Sequence, residues 1–411
     1  MAKSISGKLF TLLLLSFLFL FQACTKDDDT TPPPSDNKYL TSITAERRFT
    51  KAEVIAALNA ISPVDLSKTP LVLMITDVDV AAIAYTTTGV DGKKTEASGI
   101  VAMCVGTENY ENLLSIQHGT LDMEEAPSRV LFNYEIAPVI KKRVVVMADY
   151  LGYGASQTHT RQHPYLHITS TGTACADMIE AAREYLRGKG VKEKSDKVEL
   201  MGYSQGGTST IATLLEMEKR GASSRIIGVH SGGGAYDLIG MMTQFVGAGN
   251  MPYPRTGYLP YLIRGMEYGE GMTLDPAKIY APRVLNEGLL ATFDTKPLSA
   301  WHTALGTDIT QVIHSDFYAF AALPPFNGNA EIGKLVAALQ KNSLLSVAAP
   351  STPVTIYHSR TDDFVPFANA EAVHAKWGNS TLTELSSQGH LASGMEFMLK
   401  HMGFWELIQP K

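Results

Sequence analysis

The chain of 411 residues is 45% hydrophobic and 18% charged, which excludes a disordered polypeptide and allows one large domain or a few small ones. A formal net charge of −6 gives no basic field to hold phosphates, so nucleic acid is not an expected partner. Three cysteines are too few for a disulfide scaffold.

Lys3 and Lys8 precede the apolar run Leu9 to Phe21, and Ala23 stands directly before Cys24. A charged start, a short apolar stretch and a small residue before a cut describe a secretory signal. The run is shorter than the roughly 20 residues that a membrane span needs. Phe21-Gln22-Ala23-Cys24 resembles a bacterial lipobox, which implies a signal peptide over 1–23 and a lipid on Cys24 as the new N-terminus. Lys26-Asp27-Asp28-Asp29 and the proline-rich Thr30 to Ser35 cannot bury a face, so residues 24–38 read as a solvated linker. The lysine and acidic cluster is similar to the export signal of surface lipoproteins. It implies an outer-membrane anchor on Cys24 at the cell surface, with the periplasmic face as the alternative.

Residues 39–411 read as one domain. A helix is expected near Lys51 to Asn59, then β segments over Leu71 to Tyr85 and Glu96 to Val105, paired antiparallel across Gly89-Val90-Asp91-Gly92. Leu113 to Ile116 and Val144 to Ala148 are continuous apolar runs, the pattern of strands buried on both faces. Cys175, Met178, Ile179, Ala182, Tyr185 and Leu186 recur at helical spacing, and Gly188 and Gly190 can end that helix. Val198 to Met201 is the next strand, and Thr208 to Arg220 the next helix, stopped by Gly221. Further strands are expected at Ile226 to Val229, Val354 to Tyr357 and Thr381 to Leu385. This alternation predicts an α/β protein with a mostly parallel central sheet flanked by helices. Cys104 and Cys175, on a strand and a helix, read as small core residues before they read as a disulfide. Residues from about 238 to 350 break the rhythm with Met, Tyr, Pro and Gly, and read as a cap inserted between strands 6 and 7.

Gly202-Tyr203-Ser204-Gln205-Gly206 follows the strand ending at Met201 and opens the next helix. A sharp strand-to-helix turn there forces the serine into strained backbone angles and holds its hydroxyl clear of the sheet. Glycines two residues to either side let strand and helix approach without Cβ clashes. A serine hydroxyl is a weak nucleophile, so a histidine must take its proton and an acid must orient that histidine. In this arrangement the order is serine, acid, histidine, the last two after late strands. Asp362, in His358-Ser359-Arg360-Thr361-Asp362-Asp363, and His390, in Ser387-Gln388-Gly389-His390, meet that test. Asp362 is preferred to Asp363 because the acid three residues before Val365-Pro366 is the position such loops use.

The chain resembles an α/β-hydrolase from about residue 70 onward, and within that superfamily the secretory lipase and bacterial serine esterase group. Gln117-His118-Gly119-Thr120, Ala148-Asp149-Tyr150-Leu151-Gly152-Tyr153-Gly154 and Gly202-Tyr203-Ser204-Gln205-Gly206-Gly207 support the resemblance. A single glycine after His118 and Ser359 in the acid loop depart from common patterns. The oxyanion needs two backbone N–H donors. Gln205 and Thr120 are expected to supply them, with Gly119 behind Thr120 and His118 bracing the loop.

His159, His163 and His167 recur every four residues, yet Pro164 interrupts the run and no acid or cysteine completes a ligand set, so no metal is expected. Ser231-Gly232-Gly233-Gly234 lacks the Lys-Ser/Thr pair of a phosphate cradle and reads as a loop into the cap. Arg161 reads as paired or solvated before it reads as a substrate contact. The expectation is a secreted, lipid-anchored esterase or lipase that needs no cofactor and acts on a small-molecule, glycan or lipid ester. A serine peptidase of prolyl-oligopeptidase type is the alternative, but the short stretch before the first strand leaves no room for a propeller. A non-catalytic binding protein on a hydrolase scaffold is the other, and the intact serine, acid and histidine speak against it. Neither acyl length nor oligomeric state is written in the sequence.

Overall fold

The computed structural model describes residues 37–59, 65–157, 162–247, 252–320 and 329–405. Cys24 with the signal and most of the linker, and also His159 and Arg161, lie outside the described residues. All those described fall in one compact unit, Pro33–Lys411.

In chain order the strands are β1 Leu40–Phe49, β2 Val78–Thr88, β3 Lys94–Cys104, β4 Asn109–Tyr110, β5 Leu113–Gln117, β6 Val144–Ala148, β7 Lys192–Glu193, β8 Val198–Tyr203, β9 Ile226–Gly232, β10 Val354–Ser359 and β11 Ser380–Leu385. Nine of them form one sheet in the order β1-β2-β3-β6-β5-β8-β9-β10-β11, and β4 pairs with β7. The first three strands and the β3–β6 junction are antiparallel, and the sheet is parallel from β6 to β11.

Successive side chains of the inner strands supply opposite cores. Leu113, Val144 and Val146 face the helices Ile168–Gly188 and Gln205–Lys219, in a cluster with Ile179 and Ile211. Leu114, Val145 and Met147 face the other way, towards Ile136 and Phe397. Every residue of β5 and β6 is buried, which is why both read as unbroken apolar runs. Cys104 and Cys175 are buried free thiols, and Cys175 belongs to the first of these cores.

Two differences from the sequence reading have physical causes. β1 was not anticipated, because it is an edge strand whose alternation is filled with Thr, Glu and Arg and which pairs only with β2. The strand expected from Leu71 begins at Val78 instead. Pro70 opens a short 3₁₀ turn, Pro70–Leu73, that turns Leu71 inward and leaves Leu73 81% exposed.

Between β9 and β10 the described chain is helical, from Leu238–Gly247 through Tyr258–Glu270 to Ala330–Lys341. This insertion has an apolar core of its own, built on Ile263, Met266, Phe293, Trp301, Phe317 and Leu335. Tyr165 and Leu166, from the loop after β6, join it.

Candidate active site

Ser204 sits between the end of β8 and the helix Gln205–Lys219, at φ 61° and ψ −125°. A residue with a side chain pays about 1–3 kcal/mol for such angles, so the surroundings must impose them. The Ser204 N–H donates to the Gly232 carbonyl at 2.9 Å, and its own carbonyl accepts from Gly207 N–H at 2.9 Å. The glycines make the turn sterically possible. A Cβ at Gly206 would lie 1.9 Å from the Gln117 carbonyl oxygen, and one at Gly202 would lie 2.4 Å from the Gly206 oxygen.

The acid and the imidazole come from the loops after β10 and β11. His390 is the first residue of the helix His390–His401 and is 3% exposed. Its Nδ1 donates to Asp362 Oδ2 at 2.7 Å. The other carboxylate oxygen accepts the N–H groups of Phe364 and Val365 at 2.9 and 2.8 Å. Burial works to raise the Asp362 carboxyl, but hydrogen bonds from His358 and His390 and the Val365 N–H hold it well below the usual carboxylate range. Asp363 takes a different part, accepting the backbone N–H of His390 at 2.8 Å. With Nδ1 committed to Asp362, His390 Nε2 is the basic nitrogen, and it is buried with no partner among the described residues. The Phe364 ring stacks on His390 at 4.8 Å, and the same ring lines the cavity that Ser204 opens into.

Behind the serine, two buried histidines act as struts. His118 has Nδ1 2.7 Å from the Gly119 carbonyl and Nε2 3.2 Å from the Asp149 carbonyl, and it stacks on Tyr150. Burial pushes it down to about 4, so it stays neutral and positions the loop after β5. His163 accepts from Gln205 Nε2 at 2.7 Å and donates from Nδ1 to the Leu151 carbonyl at 2.6 Å. Burial takes it down to about 3. His167 serves elsewhere, its Nδ1 accepting the Ser170 N–H at the start of the helix Ile168–Gly188 and its Nε2 3.4 Å from Glu270. The histidine series therefore shares no common centre among its described members.

As the first residue of its helix, Gln205 has an N–H with no intrahelical acceptor. Of the two candidates on the loop after β5, the Gly119 N–H is taken by the Glu135 carboxyl at 3.0 Å. The Thr120 hydroxyl is 3.0 Å from the Tyr165 hydroxyl, which ties the loop to the insertion's core. Glu135, His163 and His358 were not anticipated in these roles. An acid directly before the apolar stretch Ile136 to Ile140 is the one signal available for Glu135. His358, fully buried with Nε2 3.4 Å from Asp362 Oδ2, gives no signal apart from its place four residues before the acid.

The cavity spans about 660 Å³ of empty space, part of it open to solvent. Ser204, Gln205, Phe364 and Val365 form its floor, and Leu238, Met241, Phe245, Tyr258 and Leu262 of the insertion face them. An apolar enclosure with few polar groups at one end suits a hydrocarbon or aryl group whose reactive bond sits at the serine.

Residues 324–402, which include Asp362 and His390, match the secretory lipase family. Comparison with curated proteins gives no match. Among solved structures, a Legionella pneumophila subsp. pneumophila protein described as a hydrolase superposes with a TM-score of 0.74 at 25% identity, over 91% of this chain and 99% of that one. The rice cell wall degrading esterase LipA of Xanthomonas oryzae gives 0.68 at 22% identity, over 89% and 96%. Candida antarctica lipase A in its closed state gives 0.61 at 16% identity, over 94% and 87%.

Proposed function

We propose that this chain, an α/β-hydrolase whose closing segment matches the secretory lipases, cleaves carboxylic esters at Ser204. Carboxylic ester hydrolysis is the reaction class of the chain, and the fold and the matched segment agree on it. The finer reading rests on one observation. A serine held in strained geometry lines an apolar cavity, and the ring of its neighbour Tyr203 lies 5.0 Å from that of a buried imidazole whose far nitrogen has no partner among the described residues.

In this mechanism Ser204 Oγ attacks the acyl carbon while His390 Nε2 takes its proton. Asp362 keeps Nδ1 protonated and stabilises the imidazolium that forms. The Gln205 and Thr120 N–H groups receive the oxyanion. Collapse expels the alcohol, which leaves with the proton from His390. Water then attacks the acyl-enzyme with His390 again as base, releasing the acid and restoring the serine. The acyl group occupies the cavity, and enclosure under the insertion favours short to medium acyl or aryl groups over long chains lying across the surface. Cleavage of the signal before Cys24 and lipidation there would hold the enzyme on the outer membrane, with its ester substrate outside the cytoplasm.

The test is turnover of p-nitrophenyl esters from acetyl to palmitoyl by the purified protein and by S204A. The expected result is a rate maximum below the longest chains, and a loss of roughly 10³-fold or more in S204A at every length. Full turnover by S204A, or faster cleavage of a matched arylamide than of the ester, would overturn the reading.

A further inference from the structure

We propose that Glu199, His230 and His401 form a site for a divalent transition metal, Zn²⁺ or a close relative, which fastens the far end of the His390 helix to the central sheet. The three come from separate elements: Glu199 is in β8, His230 in β9, and His401 ends the helix His390–His401. Glu199 Oε1 lies 3.2 Å from His230 Nε2 and 3.4 Å from His401 Nε2. All three ligand atoms lie within 4.8 Å of one another. Ligand atoms arranged tetrahedrally at about 2.0–2.1 Å from zinc stand roughly 3.3 Å apart, so both separations match edges of that polyhedron. The 3.2 Å to His230 also falls at the long end of hydrogen-bond range, whereas the 3.4 Å to His401 lies beyond it. Imidazole N–H groups held by a carboxylate alone usually approach to about 2.7–2.9 Å.

The surroundings complete the case. Arg143 binds the other carboxylate oxygen of Glu199 at 2.8 Å and is itself anchored on Asn112, which leaves Oε1 free for an ion. His230 Nδ1 lies 3.3 Å from the Tyr357 hydroxyl, an outer partner that turns Nε2 towards the site. The His230 and His401 rings meet edge to face at 4.9 Å. The three side chains are between 12% and 23% exposed, an opening wide enough for a water as fourth ligand. Arg143 and Lys141, both near the pair, repel a cation and set its affinity below that of a site without them.

This site is remote from the serine. At roughly 3.3 Å per residue along β8, Glu199 lies about 16 Å from Ser204. Its lever is the helix, whose 12 residues have His390 at one end and His401 at the other. A metal at His401 reduces fraying at that end.

The purified protein, stripped with EDTA, is titrated with Zn²⁺ by calorimetry and with Co²⁺ by visible spectroscopy. One Zn²⁺ per chain, a raised Tm and the intense d–d absorption of four-coordinate Co²⁺ are expected. H230Q, H401Q and the isosteric E199Q should each weaken Zn²⁺ by at least about tenfold and remove the Co²⁺ bands, while keeping ester turnover as evidence of folding. H374Q, outside the site, should change neither. Absence of uptake by the wild-type protein, a six-coordinate Co²⁺ spectrum, or undiminished uptake by H230Q/H401Q would each overturn the proposal. The wild-type spectrum decides the matter even where a variant fails to fold.

Discussion

Glu135 is a carboxyl group buried among Ile136, Ala137 and Val139, with the Gly119 N–H as its hydrogen-bond donor. Burial raises it from 4.5 to about 7, against the pull of that N–H. The unfolded chain releases this proton near 4.5 and the folded chain keeps it to about 7, so between those values the folded state binds more protons. Stability is therefore lost as pH rises through that window, by roughly 3 kcal/mol in full. E135Q retains an acceptor for Gly119 and removes the charge. Its denaturant midpoint should coincide with that of the wild-type protein near about pH 4 and exceed it by about pH 8. A variant less stable at the higher pH would contradict this account. Two glycines make a second comparison. G206A places a Cβ 1.9 Å from the Gln117 oxygen and should cost about 3 kcal/mol or abolish folding. G333A, in the helix Ala330–Lys341 with nothing within 4 Å of the new atom, should gain about 0.5–1 kcal/mol. Thermal denaturation of both reads the opposite signs. At this scale the candidates Ser204, Asp362 and His390 stand out in the sequence because each follows an expected strand of the sheet, and loop position then singles them out. Glu135, His163 and His358 are not, since their partners lie 16, 42 and 7 residues away and only the fold introduces them.

Among the elements, β1 depends on a single side chain for its entry into the sheet. The Glu184 carboxylate, on the helix Ile168–Gly188, accepts the backbone N–H groups of Lys38, Tyr39 and Leu40 at 2.8, 2.9 and 2.6 Å. E184A leaves three donors without that acceptor and should cost about 1–3 kcal/mol. Hydrogen exchange should show the loss as faster exchange over Leu40–Phe49, with the parallel strands unchanged. Uniform exchange across the sheet would mean that the clamp has no local role. The same strand shows where sequence periodicity runs out. β5 and β6 announce themselves because both faces are apolar, whereas β1 exposes one face to water and carries Thr, Glu and Arg along it. The apolar run at Leu71 misleads for the converse reason, because a 3₁₀ turn after Pro70 can bury Leu71 without any sheet partner.

Across the whole molecule, the alternation of strands and helices made the α/β sheet legible before any contact was known. What it could not convey is that the chain builds separate apolar cores, two against the sheet and one within the insertion. Helical spacing reports that a face is buried, and it is silent on which partner buries it. No helix among the described residues is long and apolar enough to cross a membrane. The cavity at Ser204 draws its floor from the sheet's loops and its roof from the insertion, whose core also takes in Tyr165 and Leu166 of the loop after β6. Substitution at Met241, Phe245 or Leu262 would reshape the cavity while leaving the candidate serine, acid and histidine untouched. The outline of the space over the serine can thus be redrawn within the insertion alone, so long as Tyr165 and Leu166 keep their packing against it.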